Sequence, residues 1–225
     1  MEEQLSLKEV STDSCRERLE EKLYKINKAS LGVNNNKYLS KSQVNIYTDG
    51  SKIDDGVGSG YVVYQGKAVI GEDGSPLNKE STVFQAELEA IRWAADFLAG
   101  SEKVKHIKYV KIFSDSMLSL QALDSLNITS KTVLKAARSL NNLANKVRWL
   151  NLCWIKAHVG HEGNEQADKL ARDATVLIST ERLHESKCVR KETLRKKMYK
   201  IWEKQWKADP NCRQTKQFFG SPDPT

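Results

Sequence analysis

An α/β domain built on a five-stranded mixed sheet, three antiparallel strands then two parallel ones, flanked by helices, is the fold class this chain predicts. Three observations point to it. Residues 44–71 form short β-type runs joined by connections too short for a crossover, which fits an antiparallel meander. Apolar residues then recur at helical spacing from Phe84 to Leu98. Beyond that, short apolar runs alternate with helical patterns up to Thr175, as strands added through helical crossovers do.

Residues 44–48 read as the first strand, 56–64 as the second, and 67–71 as the third after a turn at Gln65-Gly66. The first helix buries Phe84, Leu88, Ile91, Ala95 and Leu98, with Ser81 or Thr82 as its cap and Gly100 at its end. Residues 107–113 form the fourth strand and 116–126 a short helix. A helix over 131–147 turns Val133, Leu134, Ala137, Leu140 and Ala144 inward. Residues 150–155 are the fifth strand. The helix over 164–175 buries Ala167, Leu170, Ala171 and Ala174, with Asn164 as its N-cap.

These elements make residues 42–175 one unit. Residues 1–41 are a charged N-terminal segment, helical over 15–28, followed by a linker marked by Asn34-Asn35-Asn36. Residues 176–225 are a basic C-terminal extension. The formal net charge is +7, and the extension holds 12 basic and 6 acidic side chains against 17 and 16 in residues 41–175. Long-range attraction to a polyanion therefore belongs to the extension. There Leu194, Met198, Trp202 and Trp206 recur every four residues, with Arg195, Lys196, Lys200, Lys204 and Lys207 on the other face. Such a helix packs on the core or a neighbouring domain, holds phosphates while its aromatic rings stack, or lies on a membrane surface.

No run approaches the roughly 18 apolar residues of a membrane span, and the acidic start is no signal peptide. The expectation is a protein of the cell interior, cytoplasm or nucleus, with no membrane partner. Cys15, Cys153, Cys188 and Cys212 are widely spaced and read as reduced thiols.

Four acids stand where a carboxylate is costly. Asp49 and Asp115 follow apolar strand patterns, while Glu87 and Asp168 lie beside the buried stripes of two helices. Carboxylates gathered at a core edge repel one another, and a bound divalent cation is the cheap way to keep several of them charged. Oxygen ligands without Cys or His suit Mg²⁺, with Mn²⁺ able to substitute. Several carboxylates can hold two such ions roughly 3.5–4 Å apart, the arrangement for in-line displacement at a phosphodiester. Glu89 reads as solvent-facing. His158 and His161 lack a third nitrogen or sulfur ligand nearby for zinc.

The strings around these acids carry a resemblance. Tyr47-Thr48-Asp49-Gly50-Ser51, Gln85-Ala86-Glu87-Leu88-Glu89-Ala90-Ile91 and Phe113-Ser114-Asp115-Ser116 resemble the first three motifs of the ribonuclease H family, and the stretch from Trp154 through His158 and Asp168 to Ala171 resembles the fourth. The resemblance implies a ribonuclease H-like fold with Asp49, Glu87, Asp115 and Asp168 as metal-binding catalytic carboxylates. It implies His158 as a catalytic histidine assisting proton transfer or product departure. Gly50 and Ser51 would lie in a turn approaching the nucleic-acid strand, and Thr82 would set its hydroxyl against a phosphate of the DNA strand. The implied substrate is an RNA–DNA hybrid, whose RNA strand is cut to leave 5′-phosphate and 3′-hydroxyl ends with two Mg²⁺ ions as cofactor. Val83 and Phe84 stand where many members have polar groups for the minor groove. Residues 126–131 replace the long basic insertion of cellular members. That shortness, with Thr82-Val83-Phe84-Gln85-Ala86-Glu87 and Arg213-Gln214-Thr215-Lys216-Gln217-Phe218-Phe219, resembles a non-LTR retrotransposon polyprotein, which implies a reverse transcriptase domain as partner. The competing reading is a catalytically silent nucleic-acid-binding module derived from a retroelement.

Overall fold

The computed structural model describes residues 12–27, 42–157, 159–178 and 185–208. In chain order its elements are β1 (Glu17–Arg18), β2 (Lys25–Asn27), β3 (Gln43–Ile53), β4 (Gly56–Gln65), β5 (Ala68–Leu77), α1 (Val83–Gly100), β6 (Tyr109–Ser114), α2 (Met117–Asp124), β7 (Asn127–Ile128), α3 (Lys131–Ala144), β8 (Trp149–Trp154), α4 (Glu162–Ala174) and α5 (Lys187–Ala208). The main sheet has the order β2-β8-β6-β3-β4-β5. β3, β4 and β5 form the antiparallel meander, and β6 and β8 lie parallel to β3 beyond it. The five expected strands are all there. β2 adds a short sixth, parallel to β8.

The pattern of β3 shows why the sheet is covered on both sides. Val44, Ile46 and Thr48 are fully buried at alternate positions, while Asn45 and Tyr47 between them are half-buried. Val44 and Ile46 share the main core with Leu88 and Ile91 of α1 and Val133, Leu134 and Leu140 of α3. On the other side, Tyr47 stacks on Phe113 at 4.9 Å and joins a small core with Cys153 and Ile155. α1 begins with a capping box, in which Thr82 accepts from the Gln85 N–H and Gln85 Oε1 accepts from the Thr82 N–H.

The N-terminal segment departs from expectation. No helix forms over residues 15–27; β1 and β2 stand there instead, and residues 12–27 run along the domain as a strap. Asp13 accepts from the Thr132 N–H at 2.9 Å and from Ser130 Oγ at 2.7 Å, at the start of α3. β1 pairs with β7, inside the connector read from sequence as plain loop. Tyr24 is buried and donates its hydroxyl to the Leu123 carbonyl. These partners lie about a hundred residues or more along the chain, and tertiary pairing of this kind overrides a weak helical preference. The expected linker over 31–42 falls almost wholly outside the described residues, as does the Arg213–Phe219 string.

α5 forms as expected, but none of its residues is buried. Cys15, Cys153 and Cys188 are free thiols. Among the described residues no helix is long and apolar enough to cross a membrane.

Candidate active site

The acids converge where the sheet forks. β3 pairs with β6 as far as Thr48 and Ser114, then continues alone with β4, so that Asp49 faces Gly60. Asp49 therefore lies inside a long strand, where the sequence suggested a strand end. What ends at Thr48 is the parallel pairing, and Asp115 leaves the sheet at that point. Thr48 Oγ1 donates to the Phe113 carbonyl across the fork. Asp115 is held by its own backbone: its carbonyl accepts from Trp154 Nε1 at 3.1 Å and from the Met117 N–H. Ser116, next along, caps α2.

Glu87 arrives from the first turns of α1, and Gly50 lets it come close. A Cβ on Gly50 would fall 2.5 Å from the Glu87 nitrogen and 2.8 Å from the Ala86 carbonyl carbon, so only glycine permits this approach. Ser59 of β4 locks the same turn by donating to the Ala86 carbonyl at 2.7 Å. Asp168 comes from α4, which lies tight on β4 because Ala167, Ala171 and Ala174 face Gly58 and Gly60.

One oxygen each from Asp49, Glu87 and Asp115 lies within 4.8 Å of the others. Asp168 stands beside Asp49, close enough for its charge to act on that carboxyl. Accordingly the Asp49 carboxyl is pushed up to about 7, first by burial, then by the charges of Asp115 and Asp168, with the Gly50 N–H offsetting part of the rise. Glu87 is raised well above the usual carboxylate range by its burial and by Asp49 and Asp115. Its Oε2 is buried and accepts no hydrogen bond.

An all-oxygen cluster of crowded, buried carboxyls with an orphaned buried acceptor fits a hard divalent cation. Such an ion would offset their mutual repulsion and satisfy that oxygen. Asp49, Glu87, Asp115 and Asp168 are the residues that would hold it.

Other sequence-derived positions are placed differently. Gly50 and Ser51 lie in β3, paired with Ser59 and Gly58, and not in a turn. The Thr82 hydroxyl is engaged in the α1 cap. His158 lies outside the described residues. His161 takes the N-cap position of α4 without a side-chain capping bond. Asn164, read from sequence as that cap, sits inside the first turn, because the helix begins two residues earlier. Glu89 does not face solvent: its carboxylate is fully buried in a salt bridge with Arg92.

Two contributors were missed. Asn164 is buried and donates Nδ2 to Asp115 Oδ2 at 3.3 Å. Nothing in local spacing links residues 49 apart. Arg172 pairs with Asp168 at 2.8 Å, and the four-residue spacing on one helix was a usable signal.

The RNase H family model matches residues 41–176, more than half of the chain. Ribonuclease H of Campylobacter jejuni strain 81-176 is 26% identical over 144 residues, covering 61% of this chain and 94% of the relative. Ribonuclease HI of Campylobacter jejuni strain NCTC 11168 matches to the same extent. Among solved structures, ribonuclease H1 of the archaeon Halobacterium salinarum is 21% identical with a TM-score of 0.48, covering 59% of this chain and 96% of that one. With the family model spanning the whole unit that carries the four acids, the chain belongs to the RNase H family.

Proposed function

We propose that this chain is an endonuclease that hydrolyses the RNA strand of RNA–DNA hybrids, leaving 5′-phosphate ends. Divalent ions, Mg²⁺ or Mn²⁺ and two in number, would be held by Asp49, Glu87, Asp115 and Asp168. The observation that carries this reading is the meeting of three carboxylates within 4.8 Å from three separate elements of an RNase H family chain. When bound, such ions supply an activated water and stabilise charge on the leaving oxygen.

The protein's own groups supply the rest. Asp49, whose carboxyl is raised by burial and by its acidic neighbours, gives up its proton as the site loads. Asn164 fixes the rotamer of Asp115, and Arg172 restrains Asp168 from outside. His158 takes the role of moving a proton at the departing oxygen, on the strength of the Trp154–Ala171 string. Gly50 and Ser51 are assigned to the nucleic-acid backbone on the same kind of support. Thr82 reaches a phosphate by exchanging its hydrogen bond to Gln85 Oε1 for one to the phosphate oxygen. The strings around Thr82 and Arg213, with the short connector before α3, support a place in retroelement replication beside a reverse transcriptase domain; the curated relatives are bacterial.

A panel of hybrid, single-stranded RNA, duplex RNA and duplex DNA, incubated with the protein in Mg²⁺ and in Mn²⁺, tests the assignment. Cleavage confined to the RNA of the hybrid, with 5′-phosphate ends, supports it. Binding without cleavage would assign the chain to the silent module.

A further inference from the structure

α5 holds 9 basic and 2 acidic residues, a net of +7, which equals the formal charge of the entire chain. Everything outside this helix sums to zero, and the unit that carries the acids, with 17 basic and 16 acidic side chains, is nearly neutral. A polyanionic substrate therefore meets no net attraction except here.

The helix is also largely exposed, with Leu194, Tyr199 and Trp206 only half-buried. None of its residues is buried, and Met198 and Trp202 are 68% and 49% exposed. Its root, by contrast, is anchored. The Glu185 carbonyl accepts from the Asp13 N–H at 2.8 Å, the Glu185 carboxylate pairs with Arg190, and Asp13 is itself bound to the start of α3. α5 is thus tied to the catalytic unit while its lysine-bearing side stays exposed.

Its pattern discriminates among occupants. Lys196, Lys197, Lys200, Lys204 and Lys207 share one face. Lys191, Arg195, Met198 and Trp202 follow one another at steps of four, three and four, so cations also interrupt the aromatic face; Arg195 belongs here and not with the lysines opposite. A lipid surface or an apolar protein groove calls for an unbroken apolar stripe. A nucleic-acid strand calls for cations spaced along its phosphates with aromatic rings between them. At 22 residues the helix is ~33 Å long, close to one duplex turn of ~34 Å.

We propose that α5 binds the sugar-phosphate backbone of the substrate and holds the RNA–DNA hybrid for the near-neutral core that cuts it. The proposal rests on the hybrid being the substrate.

The test is equilibrium binding of the full chain to a labelled hybrid in EDTA across a salt series. It is compared with a variant carrying Lys197→Gln, Lys200→Gln and Lys204→Gln, and with its Lys→Arg counterpart at the same positions. Loss of three phosphate contacts should flatten the slope of log affinity against log salt by about 2–3 and weaken binding at least roughly tenfold near 0.1 M salt. The Arg variant should bind like the parent, and circular dichroism should show equal helix content in all three. Equal affinity and slope for the Gln variant would overturn the proposal, as would equal losses in both variants. Binding to phosphatidylserine vesicles that falls in the Gln variant while hybrid binding does not would also overturn it, assigning the helix to a lipid surface. Cleavage by the unsubstituted chain in Mg²⁺ is scored separately. If α5 proves dispensable while the hybrid is cut, this inference fails and the functional reading stands.

Discussion

Asn164 and Asp49 show how single side chains shape the site. The Asn164 amide restrains one oxygen of Asp115, and removing it frees that carboxylate to rotate out of the cluster. Groups that orient metal ligands typically contribute about 10–100-fold in affinity or activity. Asn164→Ala should therefore raise the Mg²⁺ concentration for half-maximal cleavage within that range, with little change in melting temperature at saturating Mg²⁺. An unchanged Mg²⁺ requirement would remove Asn164 from the site. Asp49 sets the pH behaviour of the metal-free protein. Its folded-state pKa is raised from 3.8 to about 7, so between those values the folded state holds a proton the unfolded chain has lost. Stability is then full below pH 3.8 and falls as pH rises towards 7, by an amount on the order of 4 kcal/mol for Asp49 alone. Melting in EDTA should be higher at pH 5 than at pH 8, and Mg²⁺ should raise it more at pH 8. The opposite order would mean the carboxyls are not proton-loaded when metal-free. The four acids could be found from sequence because each follows an apolar strand pattern or borders a helix stripe. Asn164 could not, since its partner is brought near only by the folded sheet.

At the level of elements, the site depends on how closely two helices approach the sheet. α4 rests on the glycine pair of β4, and a Cβ at Gly60 would fall 2.4 Å from the Ala167 carbonyl oxygen. Gly60→Ala should push α4 outward and carry Asp168 away from Asp49, at about 1–3 kcal/mol of stability. Thermal melting and calorimetric Mg²⁺ titration read the two effects, and a variant unchanged in both would contradict this account of the packing. The strap makes a comparable contribution at α3. Asp13 satisfies N-terminal groups of that helix, and Asp13→Ala should lower stability by roughly 1–3 kcal/mol through the unmet Thr132 N–H and the hydroxyls of Ser130 and Thr132. A melting curve superimposing on the parent's would show the strap to be ornamental. Helix positions and the five long strands were readable because their periodicity is local. β1, β2 and β7 were not: strands of two or three residues have no period, and their partners lie across the chain.

In the whole molecule, charge and chemistry are divided. Residues 41–175 hold 17 basic and 16 acidic side chains and carry the four acids, whereas α5 alone accounts for the net +7. Sequence showed this division plainly, because net charge needs no fold to be counted. The role of α5 was harder to read, since its apolar spacing of four suggested packing, yet none of its residues is fully buried and only Leu194 and Trp206 of that series are half-covered. The account as a whole stands on metal-dependent hydrolysis of the hybrid. Its sharpest measurement follows a hybrid labelled on its RNA strand, incubated with the intact chain across a Mg²⁺ titration beside Asp115→Asn. The account predicts RNA cleavage that rises with Mg²⁺, stops in EDTA and is abolished in Asp115→Asn at unchanged circular dichroism. An RNA strand left whole at every Mg²⁺ concentration, where a control ribonuclease H cuts it, or equal cleavage by Asp115→Asn, would contradict it.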